Sequence, residues 1–245
     1  MPHLALDMPD DYPWLPGSSR FPIADLGELA ARLASPVTYD RRGEVLWMDV
    51  CGRGFSPYYT RISGTGSEIY LDCNYSHHGG YVIVLKGGSD SSRYAAIYKR
   101  IGLFGVTNVG LEVAVSLITV NNYFLLHMEK QERNVYKYAD IGLWADEQKV
   151  KYKDTSEVWQ DIITGVVLDD PNGVIQHVKY VVDFENNEYK RLLFNEQSYD
   201  LAGIPIYTKV VSHTEQFSIR LEENSRVGYN DVAQVAHVIV TGNEP

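Results

Sequence analysis

Two neighbouring runs alternate aromatic rings with titratable groups. In Val135 to Ala145 a two-residue period puts Tyr136, Tyr138, Asp140 and Trp144 on one face, and in Asn122 to Lys130 it puts Tyr123, His127 and Glu129 on one face. Paired as a hairpin, the two runs juxtapose these side chains. Aromatic rings stack on the apolar faces of pyranose rings, while carboxylates and amides take the hydroxyl hydrogen bonds, so the set has the composition of a sugar-binding surface. With 18 Tyr in the chain, the same rings also read as filling for a core or a subunit interface.

Acid–base chemistry on a sugar needs two groups whose surroundings push their proton affinities apart. The candidates are Glu129, Asp140 and His127, together with Glu112. Glu112 sits inside the run from Gly110 to Leu117, on one face with Ala114 and Ser116. That face reads either as a binding surface or as a solvated sheet face, with Glu112 paired to a cation such as Arg100. Glu68 with Asp72, and Asp183 with Glu185, are further same-face carboxylate pairs, and both read as surface or turn residues.

Other chemistries find no motif. Gly-x-Ser-x-Gly, His-Glu-x-x-His and Cys-x-x-Cys are absent, and Gly52-Arg53-Gly54 and Gly64-Thr65-Gly66 are turns that no helix follows. Asp169-Asp170, before Pro171-Asn172-Gly173, belongs to a loop. His77-His78, beside Gly79-Gly80, has no further ligand at metal spacing, and Asn230-Asp231 offers two oxygen ligands toward a calcium site. Cys51 and Cys73 each lie in a strand-like run and read as reduced thiols; in an exported chain they become disulfide candidates.

Strands must position these residues. From Val45 onward, short runs rich in Tyr, Val and Ile are separated by Gly, Asn, Asp and Ser clusters. Thirteen strands are expected, near 45–51, 68–73, 81–86, 93–101, 109–120, 122–129, 134–144, 148–153, 174–184, 188–195, 205–212, 216–223 and 232–241. Without βαβ alternation or internal repeats, they predict an all-β fold, a two-sheet antiparallel β-sandwich. The clearest hairpin is Tyr180 to Phe184 and Tyr189 to Phe194 about Asn186-Asn187, since Asn tolerates the left-handed backbone of tight turns. One helix is expected over Asp25 to Leu33, ended by Ser35-Pro36, after a proline-punctuated arm from Asp11 to Gly17. The chain thus reads as an N-terminal arm with a short helix (1–36) and one sandwich domain (37–245).

With 22 Lys+Arg against 32 Asp+Glu, a net charge of −10 lacks the footprint of a nucleic-acid or anionic-membrane binder. No apolar window is long enough to cross a membrane as a helix, and the first seventeen residues have no leader pattern, which points to the cytoplasm.

Three stretches carry a family resemblance. Gly173 to Asp183 with Tyr189 to Asn195 and Tyr199-Asp200-Leu201 resembles the central hairpin of the concanavalin A-like lectin/glucanase (laminin-G-like) superfamily. Val227 to Val232 with Val235 to Gly242 is similar to its closing strand, and Ser76 to Leu85 to a strand near its start. Ile175 stands where the family usually has Trp, and the Glu-x-Asp-x-x-Glu strand of its retaining glucanases, which sets nucleophile and acid on one face, is absent. The resemblance implies a jelly-roll sandwich and carbohydrate as ligand. It also implies a structural calcium near the termini, for which Asn230 and Asp231 are the candidates.

Three functions are compatible with this reading. The first is a glycan-binding protein, holding its ligand on an aromatic-lined concave sheet face with Tyr123, Tyr136, Tyr138 and Trp144. The second is a glycoside hydrolase or polysaccharide lyase, pairing Glu112 or Glu129 with Asp140 or His127. The third is a structural homo-oligomer that buries the Tyr-rich face and the Trp14 arm in a subunit interface.

Overall fold

The computed structural model describes residues 40, 42–51, 54–73, 80–90, 93–102, 105–119, 123–168, 174–211 and 215–245. The chain divides into two compact units, Met1–Arg41 and Arg42–Pro245. The expected arm at 11–17 and helix at 25–33 lie outside the described residues, as do Gly52-Arg53, the His77-His78 pair and Asp169-Asp170.

The second unit is built of strands. In chain order the described ones are β1 (Glu44–Asp49), β2 (Tyr59–Ser63), β3 (Glu68–Asp72), β4 (Val82–Lys86), β5 (Tyr94–Ile101), β6 (Asn108–Thr119), β7 (Tyr123–Glu132) and β8 (Val135–Trp144). Then come β9 (Lys149–Lys153), β10 (Trp159–Thr164), β11 (Ile175–Asp183), β12 (Glu188–Phe194), β13 (Gln197–Pro205), β14 (Tyr207–Val210), β15 (Gln216–Asn224) and β16 (Val232–Gly242). Two antiparallel sheets result. The first runs β13-β12-β11-β6-β16-β4-β3 with β1 also on β16, and the second β10-β9-β8-β7-β15-β5-β2 with β14 on β8.

Alternation along the strands makes the core. Leu111, Val113, Val115 and Leu117 of β6 meet Phe124, Leu126 and Met128 of β7 and Ala139, Ile141 and Leu143 of β8, all fully buried between the sheets. Burying each large aliphatic or aromatic side chain contributes about 1.5–3 kcal/mol, which is why these runs pair in one register only. Three described strands, β2, β10 and β13, are not among the thirteen expected. Each is a sheet edge with a mostly exposed burial pattern, so its composition carries little hydrophobic period.

The expected β11–β12 hairpin forms, with Val182 opposite Tyr189 and Asp183 opposite Glu188. Asp183 Oδ1 accepts from the backbone N–H groups of Glu185 at 2.9 Å and Asn186 at 3.0 Å, and Asn187 takes the left-handed conformation at φ 59°. Asp183 is therefore a turn residue, as its position suggested. Glu68 pairs Lys86 at 3.3 Å on the surface.

One interruption in the second sheet prepares the site. β8 is paired by β7 along its whole length, but its other edge is shared: β14 covers Val135 to Tyr138 and β9 covers Ile141 to Trp144. On that edge, between β14 and β9, the backbone of Asp140 has no strand partner. The hydroxyl of Tyr189, fully buried and arriving from β12 of the other sheet, fills the gap. It accepts from Asp140 N at 3.0 Å and lies 3.1 Å from Asp140 O and 3.0 Å from Lys153 O, to either of which it donates.

Candidate functional site

The β7–β8 register sets Tyr123 opposite Trp144, His127 opposite Asp140, Glu129 opposite Tyr138 and Gln131 opposite Tyr136. All lie on the face turned away from the core, because the intervening Phe124, Leu126, Met128, Ala139, Ile141 and Leu143 face inward. The expected residues separate into two groups. His127, Glu129, Tyr136, Tyr138 and Asp140 line a groove of about 580 Å³, which β9, β14 and β15 complete with Lys153, Tyr207, Lys209 and Arg220. Tyr123 and Trp144 lie farther along the same face, outside the groove, stacked at 4.6 Å and joined by Trp159 at 5.6 and 5.7 Å. Gly142 makes room for that cluster, since a Cβ there would stand 2.8 Å from Trp144 Nε1 and 3.0 Å from Trp159.

Three tyrosine rings line the groove, Tyr138 lying 4.5 Å from Tyr207 and 5.5 Å from Tyr136 between centroids. His127 lies beside them, 5.5 Å from Tyr138. Its Nδ1 donates to Asp140 Oδ1 at 2.5 Å and its Nε2 faces Glu129 Oε2 at 3.4 Å, so the imidazole stands between two carboxylates. Burial alone would lower its pKa, but the Asp140 charge and the hydrogen bonds to both carboxylates outweigh it and raise the value.

The carboxylates shift the other way. Burial acts to raise Glu129, yet hydrogen bonds from His127, Ser218 and Tyr136, the last at 2.8 Å, bring it down to about 2. Burial likewise opposes ionisation of Asp140, and the His127 charge, then Lys153 at 3.5 Å, hold it below the ordinary carboxylate range. Tyr136 and Tyr138 are raised by burial, reinforced by the carboxylates of Glu129 and Glu157 to which their hydroxyls donate. The groove therefore favours the charged forms of His127, Glu129 and Asp140 and the neutral phenols of Tyr136 and Tyr138.

No family model and no curated protein matches the sequence. Solved structures do. The cellulose-induced protein Cip1 superimposes with a TM-score of 0.57 at 13% identity, over 80% of this chain and 96% of that one. A sialidase matches with a TM-score of 0.53 at 11% identity over 85% of this chain, which spans 19% of the sialidase. A carbohydrate esterase from the Shiga toxin-encoding bacteriophage phi24B matches with a TM-score of 0.50 at 11% identity, over 82% of this chain and all (100%) of that one. The chain shares with these structures a two-sheet antiparallel jelly-roll sandwich.

The groove lies on one sheet of this jelly roll, and Glu112 lies on the other. Glu112, on β6, is fully buried, with Lys179 of β11 opposite it in register and His237 Nε2 3.7 Å from its Oε1. It is neither solvated nor near Arg100, which sits on β5 of the groove sheet, so the pairing of Glu112 with Asp140 or His127 is corrected. Asp231 is buried, its N–H donating to Ser225 Oγ at 3.0 Å and its carbonyl accepting from Gly87 N at 2.9 Å, while the side chain of Asn230 packs by Gly66. Among the described residues no group of three or more His, Cys, Asp and Glu is arranged to hold a metal ion. Cys51 is buried, its thiol donating to Val235 O at 3.3 Å, and Cys73 is exposed; both are free.

Sequence reasoning missed Lys153, Glu157, Tyr207, Lys209 and Arg220. The signal was there for three of them. Tyr207 and Lys209 alternate in the 205–212 run, and Arg220 stands between the core residues Ile219 and Leu221, but which strand each would neighbour depends on sheet order. Glu157 sits in a turn at φ 64°, where no periodicity applies.

Proposed function

We propose that this chain is a carbohydrate-binding protein that holds a short oligosaccharide in the Tyr136–Tyr138–Tyr207 groove without cleaving it. The observation that carries the reading is three clustered phenol rings next to charged hydrogen-bonding groups on an open sheet face. Sugar rings present apolar C–H faces to such aromatics and hydroxyl edges to such charges. Similarity in fold to a cellulose-induced protein and a phage carbohydrate esterase supports it.

Hydrolysis needs a carboxylic acid that is still protonated near neutral pH. Glu129 at about 2 and Asp140 below its usual range are both ionised, and the imidazole between them is enclosed by its two partners. The groove is thus set up to bind. The test is a thermal-shift screen of the purified protein against oligosaccharides, followed by assay for new reducing ends. A ligand at about a hundredfold its Kd adds about 2.7 kcal/mol to stability and so raises Tm. A shift without cleavage is expected; release of reducing ends that stops in Glu129→Gln would replace binding by catalysis.

A further inference from the structure

Around the groove, the outer face of the same sheet repeats one pairing, a cation over an aromatic ring. Lys153 lies 5.9 Å from Tyr138 and 5.5 Å from Trp159, Lys151 4.3 Å from Trp144, and Arg220 5.9 Å from Tyr98. The pattern continues across β5 and β2, with Arg61 5.7 Å from Tyr94 and Arg100 5.9 Å from Tyr59. Register places these residues on the groove's face, Arg220 being opposite Tyr98 and Ser218 opposite Arg100. A protein with a net charge of −10 thus carries a cation-rich, ring-rich face where its groove opens.

The groove's own charges are unequally committed. Its carboxylates are engaged from within: Glu129 by Ser218, Tyr136 and His127, Asp140 by His127 and Lys153, and one oxygen of Glu157 by Tyr138. Of the cations, Lys153 is likewise paired, with Asp140, while Lys209 and Arg220 are less committed. Lys209 is exposed and has no ion-pair partner among the described residues, and Arg220, 3.5 Å from Glu222, keeps a buried Nε without a hydrogen-bond partner. The Arg220 side chain is 28% exposed and lines the groove, so the accessible part of its guanidinium can meet a bound acceptor.

We propose that the groove selects an acidic oligosaccharide, one whose rings carry carboxylate or sulfate groups, with Lys209 and Arg220 binding the anion and Tyr138 and Tyr207 stacking on the ring. This deepens the sugar-binding reading and rests on it. A sugar acid also has hydroxyl donors for the free oxygen of Glu157, which the backbone of DNA lacks, so single-stranded DNA is the poorer fit.

The test is calorimetric titration of the full chain with oligouronates, with their carboxyl-reduced neutral counterparts of identical linkage, with sulfated oligosaccharides, and with a single-stranded oligonucleotide. Either acidic sugar is expected to bind at least about tenfold more tightly than the neutral one, the gain expected of one charge-assisted hydrogen bond, and the two acidic series separate carboxylate from sulfate recognition. Lys209→Gln, on an exposed strand, is expected to abolish that preference, read as loss of the acidic-over-neutral affinity ratio; Arg220→Gln should lower the same ratio where it folds. Neutral sugars binding as tightly as acidic ones would overturn the proposal and leave the sugar groove standing. An oligonucleotide binding more tightly than every sugar would overturn it as well. Absence of binding by any sugar would overturn both readings.

Discussion

His127 donates to Asp140 from one nitrogen and faces Glu129 with the other, and this double contact favours the charged form of all three groups on a nearly buried sheet face. Its pKa is raised on folding, so its contribution to stability is complete below the unfolded value of about 6.5 and fades as pH rises through the higher folded value. Glu129 and Asp140 are depressed, so theirs is complete above about 4.3 and fades on acidification, for Glu129 through about 2. Stability from the triad is thus greatest between about pH 4.5 and 6.5. Denaturant unfolding across pH should show the penalty of Glu129→Gln shrinking below about pH 4, where unfolded Glu is protonated. A penalty that grows there would contradict the arrangement. His127→Ala leaves the buried Asp140 carboxylate without its hydrogen-bonded partner, facing the charges of Lys153 and Arg220, and should cost about 3 kcal/mol at pH 6. Most of these residues were legible in the sequence, since a period of two brings Tyr136, Tyr138, Asp140, His127 and Glu129 to one face from alternation alone. Tyr123 and Trp144 share that face but not the groove, because position along a strand is set by where β9 and β14 leave off.

At the level of elements, the groove depends on β8 having two different neighbours on one edge, with Tyr189 bridging the break. Tyr189→Phe removes the acceptor for Asp140 N and the donor to its carbonyl and should cost about 1–3 kcal/mol, with weaker ligand binding, because the backbone of Asp140 is then unpaired on the edge away from β7. Equal stability of the variant in urea would show that the bridge does not hold the groove. Gly142→Ala drives a Cβ into Trp144 and Trp159 and should cost about 1–3 kcal/mol, read by thermal unfolding and by a changed near-ultraviolet signal from the two indoles. Neither device can be seen in the sequence. Tyr189 looks like any strand tyrosine until β12 faces β8, and the order of strands in each sheet is fixed by packing among distant segments. The edge strands β2, β10 and β13 were illegible for the opposite reason: their side chains are mostly solvated, so burial imprints no pattern on them.

For the molecule as a whole, the two-sheet sandwich was legible because the inward residues of β6, β7, β8 and β16 are apolar almost without exception. The same sheets tie the chain's end to its middle. β16 lies between β6 on one side and β4 and β1 on the other, and just beyond it Glu244, completely buried, contacts Lys179 at 2.7 Å and Arg191. Glu244→Gln should therefore destabilise the fold by about 3 kcal/mol in urea, lowering the midpoint without altering the groove's tyrosines. A variant as stable as wild type would show that the tail is not anchored by this charge.

The central claim is that Tyr138 and Tyr207 form a sugar-stacking floor. Isothermal titration of the wild-type chain and of Tyr138→Ala with the oligosaccharide that gives the largest thermal shift tests it most directly. Wild type should show saturable one-site binding and the variant, whose unfolding transition stays cooperative, at least about fivefold weaker binding, since loss of a stacked aromatic in a binding site typically costs more than about 1 kcal/mol. Equal affinity in the two proteins would place the ligand elsewhere and contradict it.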